Sequence, residues 1–166
     1  MIELSSLGTE VNIKYLKLND NKIKLKIIDT PGRECLRTVN ERSFERADAI
    51  ILVYDITKRE SFEACKYYYE KAIRDLCLKN TKILLLGNKK DLEKERQIPY
   101  EEAKEFADYN NYLFMEVSCR EYENIYEAFT KIIESIFIRV KEEGSNDKPL
   151  NREYKKKNKK KDCIII

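Results

Sequence analysis

The sequence of 166 residues contains no histidine, which excludes histidine general bases and zinc sites built on imidazole. It also has only 4 glycines and 3 prolines, so collagen-like and flexible low-complexity chains are excluded. No apolar run approaches the roughly 20 residues that a membrane-spanning helix needs. The 5 cysteines include no C-x-x-C pair, and their odd number and wide spacing indicate free thiols in a reducing compartment.

Positive charge is concentrated at the end of the chain. Lysine and arginine number 33 against 30 acidic residues, for a net charge of +3. Residues 145–166 alone hold 8 basic and 3 acidic residues, so the rest of the chain has a small acidic excess. A nucleic-acid partner for the body of the protein is therefore not indicated.

Five segments have the patterns of β-strands. Val11–Leu18 and Lys22–Asp29 alternate apolar and polar residues around a turn, which predicts a hairpin. Three further segments are short, nearly continuous apolar runs, as in parallel strands that are buried on both faces. They are Ala49–Tyr54, Lys82–Leu86 and, more weakly, Tyr112–Val117.

Helical patterns separate these runs. Ser61 is placed to cap a helix that extends to about Leu78, and Pro99 suits the first turn of a helix over Tyr100–Tyr109. Asn124–Val140 carries one apolar stripe and predicts an amphipathic helix. Strands that alternate with helices predict an α/β fold with a parallel sheet.

Polar loops follow three of the predicted strands, where ligands bind in open parallel sheets. The loop Asn88-Lys-x-Asp91 has a direct chemical interpretation. The Asp91 carboxylate can accept two parallel hydrogen bonds from guanine, whereas adenine offers no such donor pair. Lys89 can lay its aliphatic stem on the purine, and Asn88 can tie neighbouring loops together. The alternative is a charged turn after a strand.

A second loop, Asp29-x-x-Gly32, follows the hairpin. Its carboxylate could bind Mg²⁺ through a water molecule, and the Gly32 N–H could bind a terminal phosphate. D-x-x-G is also a common turn, so both interpretations stay open for this segment alone.

Taken together, the motifs resemble those of the Ras superfamily of small GTPases, closest to the Rab group with some Ras character. The resemblance runs from about Ser5 to the last residue. The segments that carry it are Asp29-Thr-Pro-Gly-Arg-Glu34, Leu36-Arg-Thr38, Ile51-Leu-Val-Tyr-Asp-Ile-Thr57, Ser61-Phe62, Gly87-Asn-Lys-Lys-Asp91 and Ser118-Cys-Arg120.

The resemblance implies a P-loop GTPase-like three-layer sandwich with a mostly parallel sheet, and GTP or GDP with Mg²⁺ as ligands. The residues that it implies for guanine binding are Asn88, Lys89, Asp91, Ser118, Cys119 and Arg120. Ser6 would ligate Mg²⁺ from the first switch, and Asp29 and Gly32 would form the second switch, with Asp29 also serving the metal.

The chain departs from the family pattern at two places. Arg33 stands where the family has glutamine, and because guanidinium has no acceptor it should orient the attacking water poorly. Slow hydrolysis follows, and no residue is assigned as catalytic.

There is also no G-x-x-x-x-G-K-[ST] motif. We therefore expect residues 1–143 to be a small GTPase-like domain truncated at its N-terminus, lacking the first strand, phosphate loop and first helix and leaving its neighbouring strands with unpaired inner edges. A shortened gene model is the favoured explanation.

Residues 144–166 are predicted to be a disordered polybasic tail that ends in a C-a-a-X motif at Cys163. A prenyltransferase would alkylate this cysteine, and the lysines would bind an anionic cytoplasmic membrane. The alternative is a solvated tail with an incidental cysteine.

Two functions follow from these patterns. The first is a Rab/Ras-like GTP-binding switch that is lipid-anchored on the cytoplasmic face of membranes, meets the regulators and effectors of small GTPases, and acts in vesicle traffic. The second is a membrane-tethered interaction module that turns over no GTP, which leaves enzymatic activity an open question.

Overall fold

The computed structural model describes residues 10–18, 21–30, 47–68, 80–145 and 160–165. Within them the chain forms a mixed α/β fold. The strands are β1 (Glu10–Leu18), β2 (Asn21–Asp29), β3 (Ala49–Asp55), β4 (Lys82–Asn88), β5 (Leu113–Glu116) and β6 (Lys160–Ile165). The helices are α1 (Arg59–Tyr68), α2 (Tyr100–Tyr109) and α3 (Ile125–Ser145), with a 3-10 helix over Lys90–Glu95.

The strands form one sheet in the order β1-β2-β6-β3-β4-β5. β1 and β2 are antiparallel, with Glu10 opposite Asp29, and this confirms the predicted hairpin. β4 pairs in parallel with β3 on one side and with β5 on the other. The parallel strands therefore end at one edge of the sheet, which is where the loops after β4 and β5 lie.

β4 explains why a continuous apolar run marks a central strand. Leu84 and Leu86 belong to the core cluster under α3, whereas Leu85 belongs to the cluster under α1 and α2. Since successive side chains of a strand point to opposite faces, a strand covered on both sides needs apolar residues at every position. The predicted three-layer α/β sandwich with a mostly parallel sheet is confirmed.

α3 supplies the larger part of one layer. Its buried residues share one face at helical spacing and belong to the same core cluster as residues of β2, β3 and β4. They are Ala128, Ile132, Ile133, Ile136 and Phe137. The other layer is anchored by Phe62 of α1, which is fully buried and packs its ring 5.0 Å from that of Tyr54.

The predicted start of the first helix is wrong. α1 begins at Arg59, and Ser61 lies inside it rather than capping it. The Ser61 hydroxyl instead accepts a hydrogen bond from the Asp55 N–H at 2.9 Å and donates to the Lys58 carbonyl at 2.7 Å. It therefore fastens the helix to the end of β3. The rest of the predicted helix, up to about Leu78, lies outside the described residues.

The C-terminal residues also differ from the expectation of disorder. Lys160–Ile165 forms β6, which lies between β2 and β3 and runs parallel to both. β2 therefore has neighbours on both sides, contrary to the expected unpaired inner edge. The physical reason is that a strand with a free edge carries backbone donors and acceptors that need partners. Along β3, β6 reaches only Ala49.

The described helices include none that is both long and apolar enough to span a bilayer.

A pair of isoleucines on α3 tests this packing. Ile132 is 0% exposed and Ile138 is 59% exposed. We expect Ile132→Ala to lower the free energy of unfolding by about 2–5 kcal/mol, because it leaves a cavity in the core. Ile138→Ala, the matched control, should change it by no more than about 0.5 kcal/mol. Urea unfolding followed by circular dichroism measures both, and equal losses would contradict the burial of this face.

Candidate functional site

The ends of β3, β4 and β5 bring polar groups together at one edge of the sheet. Asp55 is the last residue of β3 and Asn88 is the last residue of β4, and the two are partners in the parallel register. Ser118 follows β5 by two residues and is fully buried. Parallel pairing thus places three polar residues from distant parts of the sequence side by side.

Asn88 joins the loops that follow β4 and β5. Its side-chain carbonyl accepts hydrogen bonds from the Lys89 N–H at 2.7 Å and from the Cys119 N–H at 3.2 Å. The backbones add a further bond, from the Lys90 N–H to the Val117 carbonyl at 3.0 Å. Two loops separated by about thirty residues are therefore held in one arrangement, as the interpretation of Asn88 anticipated.

Lys89 makes the sharp turn from the strand into the 3-10 helix. Its φ angle of 67° lies in the left-handed region, which is uncommon for a residue with a side chain. Its ammonium lies 2.7 Å from Oδ2 of Asp55. The ion pair ties this strained position to the end of β3.

Asp55 is a member of the site that sequence reasoning missed as a functional residue. Its Oδ1 accepts hydrogen bonds from the N–H and the hydroxyl of Thr57 at 2.9 and 2.7 Å. Partial burial acts to raise its pKa, but the hydrogen bonds from Lys89 and Thr57 outweigh burial and hold the pKa below its usual value. The available signal was its position at the carboxyl end of a buried strand.

Asp91 is held in place by Ser118. Asp91 lies in the first turn of the 3-10 helix, and its Oδ1 accepts a hydrogen bond from the Ser118 hydroxyl at 2.6 Å. The Ser118 oxygen in turn accepts from the Glu121 N–H at 3.0 Å. Because Ser118 is 0% exposed while Asp91 is exposed, a rigid hydroxyl orients a carboxylate that faces solvent.

Cys119 and Arg120 are both exposed beside this pair. Cys119 contributes its backbone N–H to Asn88 and carries a free thiol. Arg120 is 77% exposed at its side chain, and its Nε lies 3.6 Å from the Glu121 carboxylate. The structure therefore places all six predicted base-site residues in the two loops that Asn88 joins.

A buried ion pair between Arg96 and Glu116 lies next to these loops, at the end of β5. The Arg96 guanidinium binds both carboxylate oxygens of Glu116 at 2.7 Å, and the Glu116 side chain is only 4% exposed. These contacts raise the pKa of Arg96, chiefly through the hydrogen bonds with Glu116. A planar two-point contact of this kind fixes the geometry of both partners. It fastens the chain after the 3-10 helix to the end of β5.

Gly87 is required by the same packing. A Cβ atom at this position would lie 2.7 Å from the Tyr54 hydroxyl and 3.1 Å from Cγ of Glu116. Tyr54 is 1% exposed, and burial followed by the Glu116 charge raises the pKa of its phenol. The side chains of Tyr54 and Glu116 therefore pack against β4 at Gly87, and only glycine leaves room for them.

The predicted phosphate and switch residues are placed only in part. Asp29 is exposed at the end of β2, opposite Glu10. Ser6, Gly32 and Arg33 lie outside the described residues. Among the residues that the structure describes, no three acidic, cysteine or histidine side chains form a metal cluster.

Comparison with known proteins agrees with this arrangement. The model of the Ras family matches residues 3–138. The chain is 38% identical to the Ras-related protein RABD2a of Arabidopsis thaliana over 88% of this chain and 72% of that protein. It is 38% identical to Rab11A of Lotus japonicus over 80% and 58% of the two chains, and 35% identical to the GTP-binding protein YPT1 of Saccharomyces cerevisiae over 92% and 73%.

The chain therefore belongs to the Ras family, whose members bind guanine nucleotides. The Rab names of its relatives make it a Rab-like small GTPase, which confirms the resemblance inferred from the motifs. The matched region spans 58% of the length of the Lotus relative.

The Asp55–Lys89 contact predicts how stability depends on pH. Since the pKa of Asp55 is lowered from its ordinary value of 3.8, its contribution is fully present above that value and is lost as the pH falls through the lower, folded-state pKa. We expect Asp55→Asn to lower the free energy of unfolding by about 1 kcal/mol at pH 7. The difference from the parent protein should shrink at pH 3.

Urea titrations at the two pH values measure this difference. Asp108→Asn is the control, because the Asp108 side chain is 61% exposed and paired only with Lys104 on the surface of α2. An Asp55→Asn deficit that is the same at both pH values would contradict the ion pair.

Proposed function

We propose that this Rab-like protein binds GTP or GDP through Asn88, Lys89, Asp91, Ser118, Cys119 and Arg120, and acts as a nucleotide-dependent switch. The observation that carries the proposal is the Asp91 carboxylate, which Ser118 orients while it remains exposed. A preoriented carboxylate beside a loop that is locked by Asn88 suits the recognition of a flat polar ring.

Guanine fits this carboxylate by its chemistry. Its ring N–H and exocyclic amine are two parallel donors, and the two oxygens of Asp91 are two acceptors. Adenine has no matching pair, so it would leave the acceptors unpaired. The Ser118 bond uses one lone pair of Oδ1 and leaves the others for the base. Lys89 and Arg120 would cover the purine with an aliphatic stem and a planar guanidinium.

The phosphate end would be served by Ser6, Asp29 and Gly32. When bound, Mg²⁺ neutralises charge on the phosphates. The Ser6 hydroxyl and, through water, the Asp29 carboxylate are the oxygen donors proposed for it. Arg33 has five donors and no acceptor, so it would position the attacking water poorly, and hydrolysis should be slow.

The second candidate function is an interaction module that neither binds nor turns over GTP. It is favoured by one sequence observation, the absence of a G-x-x-x-x-G-K-[ST] motif among the residues of this chain. The Lys and Ser/Thr of that motif hold the β- and γ-phosphates and the metal. The two candidates differ in a measurable quantity, the affinity of this chain for nucleotide.

We further propose that the protein acts on the cytoplasmic face of membranes, in vesicle traffic, with the regulators and effectors of small GTPases. Cys163 would be its lipid attachment point. In that step the thiolate attacks the first carbon of an isoprenyl diphosphate, a thioether bond forms, diphosphate leaves and the thiol proton passes to solvent. One lipid binds a membrane only marginally, so the neighbouring lysines would supply the second signal.

Base recognition is tested by titrating the full chain with mant-GDP in the presence of Mg²⁺. We expect saturable binding with a Kd below about 100 µM, weakened because the chain has no G-x-x-x-x-G-K-[ST] motif to hold the phosphates. Asp91→Asn should weaken binding by about 10- to 100-fold, because an amide N–H₂ replaces an acceptor that faces the base donors. Glu95→Gln, which removes an exposed carboxylate from the same 3-10 helix, should leave binding unchanged.

The same titration separates the two candidate functions. No binding by the parent chain at about 100 µM would support the interaction module and overturn the switch. Binding that Asp91→Asn leaves unaltered, with GTP and ATP competing equally, would overturn the proposed base site.

The lipid anchor is tested by expressing the chain in eukaryotic cells and measuring the intact mass and the membrane-bound fraction. We expect one isoprenyl group on Cys163 and loss of both lipid and membrane binding in Cys163→Ser. Cys119→Ser is the control, since Cys119 is also an exposed thiol. An unmodified Cys163 would contradict the anchor.

A further inference from the structure

Arg96 lies next to the two loops that Asn88 joins, and its guanidinium uses all of its hydrogen-bond donors. The side chain is 15% exposed. Nε and Nη2 donate to the two carboxylate oxygens of Glu93 at 2.8 and 2.6 Å. Nη1 and Nη2 donate to the two oxygens of Glu116 at 2.7 Å, and Nη1 also donates to the Ile98 carbonyl at 2.9 Å. Since a guanidinium has five N–H groups, these bonds leave no donor for a ligand.

Two of the partners of Arg96 belong to the segments that form the proposed base site. Glu93 lies in the 3-10 helix, two residues after Asp91. Glu116 is the last residue of β5, two residues before Ser118. The two segments are therefore linked at two points. One link is the hydrogen bond from the Ser118 hydroxyl to Asp91, and the other passes through Arg96.

The 3-10 helix depends on polar contacts for its position. None of its six residues is buried, so core packing contributes little to where it lies. At its start, the Lys90 N–H donates to the Val117 carbonyl at 3.0 Å. Beyond Asp91 the backbone leaves helical geometry at Leu92, which has φ −96° and ψ 39°. Glu93 follows this irregular residue, and its contact with Arg96 holds the second half of the helix.

The second link matters because of the geometry of the ligand contact. One hydrogen bond leaves a carboxylate able to rotate about it, whereas a second contact between the same segments limits that rotation. The two oxygens of Asp91 would have to face two parallel donors of guanine at the same time. A carboxylate that rotates keeps a single hydrogen bond to the ring more easily than two parallel ones, so the second bond is lost first.

We propose that Arg96 is a positioning residue for base recognition. Through Glu93 and Glu116 it holds the segments that carry Asp91 and Ser118, and it thereby sets the preference for guanine over a purine that lacks the exocyclic amine. It acts without touching the base, because its own donors are all used. The effect on selectivity rests on the base site proposed above, whereas the holding of the two segments does not.

The first test compares two nucleoside diphosphates on the full chain with Mg²⁺. Inosine diphosphate keeps the ring N–H of GDP but lacks the exocyclic amine, so the ratio of the two Kd values reports the second hydrogen bond to Asp91. Each nucleotide is titrated against bound mant-GDP. We expect the parent chain to prefer GDP by about tenfold, as one charge-assisted hydrogen bond gives.

A matched pair of variants in the 3-10 helix shows whether Arg96 sets this ratio. Glu93→Ala removes the contact with Arg96 from an exposed position, and we expect the preference for GDP to fall to about threefold or less. Glu95→Ala, at another exposed position of the same helix, should keep the parent ratio. A parent ratio that Glu93→Ala leaves unchanged would overturn the positioning role.

A third variant separates positioning from a general loss of stability. Arg96→Lys keeps the charge but cannot bind two carboxylates with paired donors, so it should also reduce the ratio. Because Glu93 acts through Arg96, the double variant Glu93→Ala/Arg96→Lys should lose no more selectivity than Arg96→Lys alone. Equal weakening of GDP and inosine diphosphate in a folded Arg96→Lys would overturn the role. Circular dichroism reports folding, and Glu93→Ala decides the question if Arg96→Lys unfolds.

Amide hydrogen exchange on the ligand-free chain, followed by NMR, tests the segments without nucleotide. The Lys90 N–H and the Glu121 N–H, which donates to the Ser118 hydroxyl, report the two loops. We expect Glu93→Ala to speed the exchange of both by about tenfold and to leave Leu85, in the core of β4, unchanged. Unchanged exchange in the loops would overturn the holding of the segments. A parent chain that binds no nucleotide but shows the faster exchange would refute the base site and support the holding alone.

Discussion

The parallel pairing of β4 with β3 and β5 is the constraint on which the rest of the molecule depends. β4 is apolar on both faces and lies between two layers of helices, and both of its partners run in the same direction. That arrangement brings the ends of three strands to one edge. Asn88 can then bridge to Cys119 only because the strand ends are adjacent.

The site is built from contacts that hold loops rather than from reactive groups. Ser118 orients Asp91, Asp55 holds Lys89, and Arg96 clamps Glu116 below them. Taking polar and charged groups out of water is unfavourable. In each of these interactions a direct hydrogen-bonding or charged partner offsets that cost. The result is a rigid surface, and the proposed base site would draw its selectivity from fixed acceptors.

Much of the secondary structure could be predicted from the sequence pattern, and particular residues show where this failed. The bounds of β1 to β5, of α2 and of the start of α3 followed closely from period and from Pro99, because burial dictates residue type at each position, whereas α3 extends to Ser145, beyond the predicted end at Val140. The cap at Ser61 was wrong, since a tertiary bond to Asp55 uses the hydroxyl that local reasoning assigned to the helix. Lys160–Ile165 was missed as a strand, because six residues after a lysine run carry no period that separates a strand from a tail.

By itself, the sequence determined the family and the layered α/β fold and predicted six residues for the base site, since residue types and spacing are local properties of the chain. Only the tertiary structure decided that Asp55 joins the site, that Arg96 and Glu116 form a buried pair, and that Gly87 lies beneath Tyr54. It also decided that the C-terminal segment lies beside β2. Each of these contacts joins residues far apart in the chain, and no local preference of either partner specifies the other.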